Sequence, residues 1–333
     1  MRIYKLIVSI AVAMTLFVLP ADAQPATALR YLAINVGNAS LQFGCWEYKL
    51  CRAQDVRNLR NYIATWQPDI IMLSEVYRTQ QLTGSAANGP ILPAGYTGSC
   101  GESRDRYTNK LVDWNAENAS HEHECVAWKT SRLSLIPDSA KSVYGRNDGY
   151  GLNYMSTSLR TYEDGQPNCN YDFTGFRVKL LLDGQFTITA VTVHPNSGNS
   201  SCRQDEIARY WSSLAEGDRV IIGGDWNTSS DRELQKPAAF IVNYLRGQHW
   251  NIIKHDNEYS TQYFFNLVNR QIDHTYSNFG IPCTNCGSIY GTKNLAYASV
   301  LGGYHRHPRA DSGRGMDHKQ ILVDLIIPRF SGR

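Results

Sequence analysis

A set of short apolar runs, each closing on a residue that can carry chemistry, restricts the fold of this chain more than any other feature. The run Tyr31-Leu-Ala-Ile ends on Asn35, and Ile70-Ile-Met-Leu-Ser leads to Glu75. Ala190-Val-Thr-Val delivers His194, and Val220-Ile-Ile-Gly-Gly delivers Asp225, with Asn227 two residues on. Gln271-Ile precedes Asp273, and Gly315-Met precedes Asp317 and His318, which open the last apolar run. Short runs rich in β-branched residues and bounded by turn formers read as buried strands. An ionised carboxylate at the end of such a strand is costly unless it is paired or binds a metal. One acid so placed is an ordinary cap or turn residue. Four acids (Glu75, Asp225, Asp273, Asp317) accompanied by two histidines and two asparagines are expected to converge on one site.

The remaining pattern supplies the scaffold. Strands are expected over residues 30–36, 69–74, 126–128, 176–182, 186–194, 219–223, 271–277 and 320–327. Asp183-Gly184 between two of them predicts a hairpin turn. Val56, Leu59, Ile63 and Trp66 recur at helical spacing and predict an amphipathic helix over 53–66, stopped by Pro68; Ile207, Tyr210, Trp211 and Leu214 predict a second. Hairpins mixed with strand–helix–strand units argue for two packed sheets covered by helices. No linker or repeat divides the chain, so residues 28–330 read as one catalytic domain.

The ordered set Asn35, Leu73-Ser-Glu75-Val, His194, Gly224-Asp225-Trp-Asn227, Ile272-Asp273 and Met316-Asp317-His318 resembles the endonuclease/exonuclease/phosphatase superfamily. That group includes DNase I-like nucleases, neutral sphingomyelinases and inositol-polyphosphate phosphatases. The likeness runs from about residue 30 to 327. It implies a DNase I-like fold: a four-layer α/β sandwich of two packed mixed β-sheets flanked by helices, with one cleft at the strand ends. By position it implies that Glu75 is a metal ligand with Asn35 beside it and Asp317 in support. His318 would be the general base and Asp273 its orienting partner. Asp225 and Asn227 would hold the attacking water and phosphoryl oxygens, and His194 would donate to a non-bridging or leaving oxygen. In His121-Glu122-His-Glu-Cys-Val-Ala-Trp, Glu122 takes the place of the glutamate that partners the first catalytic histidine, with Glu124 on the same face; a solvated edge strand is the competing reading. A histidine at 194 fits the DNase I-, sphingomyelinase- and phosphatase-like branches, whereas Gly37 departs from the pattern of abasic-site nucleases. Hard carboxylate oxygens suit Mg²⁺, with Mn²⁺ or Ca²⁺ as substitutes.

The segments outside this pattern concern location and substrate. Arg2 and Lys5, an apolar run over 6–19 and Pro20-Ala-Asp-Ala23 read as a secretory signal peptide over residues 1–23, giving a secreted or periplasmic protein. No later apolar stretch approaches ~18 residues, so no stable membrane insertion is expected. The eight cysteines all follow residue 23, and in an oxidising compartment disulfides are the default. Spacing suggests Cys45–Cys51 and Cys283–Cys286, leaving Cys100–Cys125 and Cys169–Cys202; a zinc site would need a second CxxC or paired histidines, and neither is present. Hydrophobic residues at 42% and charged residues at 19% exclude a disordered, collagenous or coiled-coil chain. The net charge of +3 neither requires nor excludes a nucleic-acid partner. Arg306, Arg309 and Arg314 immediately precede Asp317-His318 and are candidate substrate-binding residues for further phosphates; a solvated basic loop is the alternative. A membrane-acting phosphodiesterase would want an apolar hairpin, and its one candidate, residues 279–300, is polar throughout. The sequence therefore reads as a monomeric, secreted, metal-dependent nuclease acting on DNA or RNA. A sphingomyelinase-like or inositol-phosphate hydrolase is the alternative, and a non-catalytic binding module a third.

Overall fold

The computed structural model describes residues 27–36, 53–76, 82, 90–101, 123–142, 175–195, 214, 218–227, 253–254, 262–263, 269–270, 273–282, 298–301 and 320–327. In chain order the first elements are β1 (Thr27–Asn35), α1 (Ala53–Trp66), β2 (Ile70–Val76), β3 (Tyr96–Cys100), β4 (His123–Lys129), β5 (Leu133–Leu135) and β6 (Lys141–Ser142). Next come β7 (Phe176–Leu182), β8 (Phe186–Val193), β9 (Val220–Asp225), β10 (Ile253–Lys254), β11 (Gln262–Tyr263) and β12 (Asn269–Arg270). The last are β13 (Asp273–Ser277), β14 (Ile281–Pro282), β15 (Ala298–Leu301) and β16 (Gln320–Ile327).

Two mixed sheets form. The first runs β14-β16-β1-β2-β4-β3, with β15 also on β16; the second runs β10-β13-β9-β8-β7-β5, with β6 also on β7. Side-chain alternation on each strand decides which residues meet between them. Leu29, Tyr31, Met72, Val126 and Val323 from the first sheet pack with Val178, Leu180, Ile188, Ala190 and Ile221 from the second, which makes the apolar filling of a sandwich. The opposite face of the first sheet, with Leu32, Ile34, Ile71 and Leu73, is covered by Leu59 and Ile63 of α1.

Local chemistry explains the element ends. The helix stops where Gln67 turns left-handed at φ 47° and its N–H bonds back to the Ile63 carbonyl at 2.8 Å, just before Pro68. Asp183 and Gly184 both take positive φ, 49° and 68°, as a hairpin turn of the mirror-image type requires, and join β7 to β8. A buried arginine inside β1 is tolerated because Arg30 faces Asp324 across the β1–β16 ladder and binds both its oxygens, at 2.6 and 2.9 Å. Asp69, at the foot of β2, takes the Arg30 N–H at 2.8 Å and an Arg132 N–H at 2.9 Å. Burial nevertheless pushes its carboxyl up to about 6, against the pull of Arg132 and the Arg30 amide.

The predicted helix and the strands over 176–182 and 320–327 have the expected bounds. Four strands are longer: β1 starts at Thr27, β2 runs on through Glu75 to Val76, β4 starts at His123, and β9 runs on to Asp225. The expected helix around Ile207 lies outside the described residues apart from Leu214, which is buried. Cys100 and Cys125 form a disulfide between β3 and β4. The other six cysteines lie outside the described residues.

Strand direction places the chemistry. β1 and β2 are parallel, as are β8 and β9. Their carboxyl ends therefore bring Asn35 beside Glu75, and His194 beside Asp225. The antiparallel neighbours β4, β13 and β16 start at this same end of the sandwich, since Asp273 lies opposite Asp225 and Ile321 opposite Ala33. Open α/β sheets place ligand sites outside the carboxyl ends of parallel strands in this way.

Candidate active site

Glu75 reaches the site through a distortion of β2. The β2–β4 register shifts between Leu73 and Val76, so that Ser74 and Glu75 together face Glu124, and Glu75 takes a left-handed φ of 57°. A bulge of this kind re-aims a side chain at the rim of a sheet. On the facing sheet, Gly224 has φ 144°, and a Cβ there would collide with the Val193 carbonyl oxygen. Only glycine lets β9 run this close to β8 before delivering Asp225. The turn after Asp225 is held by the Asn227 N–H on Asp225 Oδ1 at 2.7 Å and by Trp226, whose indole N–H donates to the His274 carbonyl at 2.9 Å.

The geometry at the mouth is a knot of two carboxylate oxygens and two nitrogen donors. Asn35 Nδ2 donates to Glu75 Oε1 at 2.9 Å and to Asp225 Oδ2 at 3.1 Å. His194 Nε2 lies 3.4 Å from the same Glu75 oxygen and 3.7 Å from the same Asp225 oxygen. Its Nδ1 lies 3.5 Å from Glu124 Oε1. Burial alone pushes the imidazole down, but the bond to Glu124 and the charges of Glu75, Glu124 and Asp225 hold it well above its ordinary 6.5. Burial likewise pushes the Glu124 carboxyl up, while bonds to His194 and Ser74 pull it back.

Among the described residues, Glu75, His194 and Asp225 form a group whose ligand atoms all lie within 4.8 Å of one another. The donor set fits a hard divalent cation, because the carboxylates of Glu75 and Asp225 converge there. Glu75 and Asp225 are the residues that would hold it, since a hard divalent cation prefers carboxylate oxygen to imidazole nitrogen.

Asn35, Glu75, His194 and Asp225 are thus brought together at one end of the sandwich, with Asn35 bonded to both carboxylates. Asp273 is buried on β13 directly opposite Asp225. Asn227 is next to the knot, but its Nδ2 donates to the Pro195 carbonyl at 2.8 Å, so this amide fastens the ends of β8 and β9 together. Asp317, His318, Arg306, Arg309, Arg314 and Glu122 lie outside the described residues. The glutamate that β4 places against His194 is Glu124. The signal was in the alternation, since Glu124, Val126 and Trp128 share the inward face; the start of β4 at His123, three residues before the expected strand, puts Glu124 within it.

A convergent set of two carboxylates, an amide and an imidazole defines a class of site suited to phosphoester hydrolysis. The chain belongs to the endonuclease/exonuclease/phosphatase family, whose model matches residues 35–282. Members of this family hydrolyse phosphoester bonds and include nucleases, phosphatases and phosphodiesterases. No curated protein gives a sequence match. Among solved structures, the chain is similar to a family member from Bacteroides thetaiotaomicron, at 14% identity and a TM-score of 0.59, covering 91% of this chain and 99% of that one. A mannosyl-6-phosphatase from the same organism gives 14% identity and a TM-score of 0.52, covering 90% and 99%. D. rerio TDP2, complexed with a single-strand DNA product, gives 13% identity and a TM-score of 0.53, covering 90% and 98%. These likenesses concern the fold.

Proposed function

We propose that the protein is an exported phosphodiesterase that hydrolyses nucleic acid with the help of a divalent cation, Mg²⁺ first among the candidates. The observation that carries this reading is the knot of Asn35, Glu75, Asp225 and His194 at one end of the sandwich. Export rests on residues 1–23 and agrees with the Cys100–Cys125 disulfide. Among the described residues no helix is long and apolar enough to cross a membrane. Nucleic acid as the substrate draws support from the three arginines before Asp317-His318 and from the likeness to a fold relative crystallised with single-strand DNA.

Each residue then has a task. Glu75 and Asp225 would hold the cation, which would supply charge neutralisation at the phosphoryl group and a more acidic water. Asn35 keeps their oxygens side by side. His194, held cationic by three carboxylates, donates its Nε2 proton to a phosphoryl or leaving oxygen. His318 accepts the proton of the attacking water, and Asp273 orients it. Similarity to the mannosyl-6-phosphatase favours a second reading, a phosphatase acting on a small phosphate ester.

The test is hydrolysis by residues 24–333 of plasmid DNA, structured RNA, sphingomyelin vesicles and a sugar phosphate. Nicking or RNA cleavage that is lost in His318→Ala supports the proposal. Release of inorganic phosphate from the sugar phosphate without cleavage of nucleic acid replaces it with the phosphatase reading. Phosphocholine release places the protein on the lipid branch instead.

A further inference from the structure

We propose that Ser74 and Thr192 are positioning residues, which fix the carboxylate of Glu124 between the two sheets so that it holds His194. The proposal rests on the hydrolytic reading of the site for its effect on turnover, but its geometry is independent of substrate. Glu124 is 3% exposed and lies on the inner face of β4, behind the mouth of the site. An acid buried there needs partners for both oxygens. Its Oε1 faces His194 Nδ1 at 3.5 Å, and its Oε2 accepts from Thr192 Oγ1 at 3.5 Å. Ser74 stands opposite Glu124 in the β2–β4 ladder, where its hydroxyl pulls the raised pKa of that carboxylate back down.

The two hydroxyls come from opposite sheets and stitch them reciprocally. Ser74 Oγ, on β2, donates to the Val193 carbonyl of β8 at 3.2 Å. Thr192 Oγ1, on β8, also lies 3.4 Å from the Leu73 carbonyl of β2. Each hydroxyl thus divides its one proton between a carbonyl of the other sheet and Glu124. The bulge in β2 makes this arrangement available. Without the extra residue, one side chain of β2 would face Glu124; with it, Ser74 turns inward to the carboxylate while Glu75 turns to the mouth. The site ends of β2, β4 and β8 are thus tied together by two small hydroxyls. Partners that orient a site residue in this way typically change activity by 10- to 100-fold when removed.

The experiment uses residues 24–333 with ¹⁵N-labelled histidine, and reads the His194 imidazole nitrogens by NMR alongside kcat and KM on whichever substrate the protein hydrolyses. The His194 signal is assigned by its loss in His194→Ala. Thr192→Val keeps the shape and removes the hydroxyl, Ser74→Ala removes the other, Thr192→Ser keeps it, and Glu124→Gln is the control. The expected result is that Thr192→Val and Ser74→Ala each move the Nδ1 signal in the direction set by Glu124→Gln. Each also lowers kcat roughly tenfold with KM unchanged, and Thr192→Ser returns both to wild type. Should Thr192→Val not fold, Ser74→Ala carries the same test. An Nδ1 signal and kcat that stay at the wild-type value in the folded hydroxyl-deleted variants overturn the proposal. Failure of the hydrolytic reading looks different: no substrate is turned over, yet the His194 signal still moves.

Discussion

At the scale of single residues, the site depends on backbone conformations that few side chains tolerate. Glu75 sits at φ 57° and Asn227 at φ 51°, both left-handed and both within the cluster. Such conformations persist only where their surroundings enforce them. Here Asn35 ties down Glu75, and Asp225 and the Pro195 carbonyl tie down Asn227. Gly224 is the least replaceable of these residues. Gly224→Ala places a methyl against the Val193 carbonyl oxygen, a backbone atom that cannot swing aside. It should destabilise the fold by at least about 2 kcal/mol in urea denaturation and displace Asp225. A variant as stable and active as wild type would show that β8 and β9 can separate there. Removing an acid–base group should act on turnover and not on folding: His194→Ala and His318→Ala are each expected to cut kcat roughly 10²-fold, with unchanged melting temperature.

At the scale of elements, the pairing of β1 with β2 and of β8 with β9 is what brings distant acids together. Each of these strands was legible from its apolar run, and the residue it delivers was legible from where the run ends. Helix α1 was legible from the spacing of Leu59, Ile63 and Trp66. Three other features were hidden. The β2 bulge leaves no mark in composition, because Ser74 and Glu75 look like any strand ending in an acid. The early start of β4 was masked by the polar His123-Glu124, which carry no apolar signal, so Glu122 looked the better partner for His194. The tie from the Asn227 amide to the Pro195 carbonyl was hidden as well, because it depends on the turn that Trp226 fixes. At the other end of β2, Asp69 makes a prediction of its own. Its carboxyl is raised to about 6 from an ordinary 3.8, so the folded state holds this proton more tightly than the unfolded chain. The contribution is fully present below about pH 4 and is lost as pH rises through about 6. Asp69→Asn lacks it. The wild-type advantage in unfolding free energy over Asp69→Asn should therefore shrink between pH 4.5 and 7, as read by denaturation at each pH. A constant or widening gap would show that Arg132 and the Arg30 amide outweigh burial.

At the scale of the whole molecule, two sheets stacked face to face leave one end where seven of the described strand termini meet, and that end holds the candidate site. The opposite end carries Asp69, Arg132 and Asp183 in an ion-pair network and serves stability. The Cys100–Cys125 bridge closes 25 residues of sequence beside Glu124. Chain-entropy reasoning gives such a loop about 3 kcal/mol, so Cys100→Ala/Cys125→Ala should lower unfolding free energy by about that amount; no change would show that the reduced chain already keeps β3 on β4. The central claim is that Glu75 and Asp225, knotted by Asn35 and His194, form a cation-dependent centre for cleaving phosphodiesters in nucleic acid. Its most direct measurement is the rate of plasmid and RNA cleavage by residues 24–333 across a Mg²⁺ titration, with EDTA as the zero, for wild type, Glu75→Gln and His194→Ala. The expected result is cleavage abolished by EDTA, a Mg²⁺ midpoint shifted to higher concentration in Glu75→Gln, and a collapsed maximal rate in His194→Ala. Cleavage that persists in EDTA, or an unchanged Mg²⁺ titration in Glu75→Gln, would contradict it.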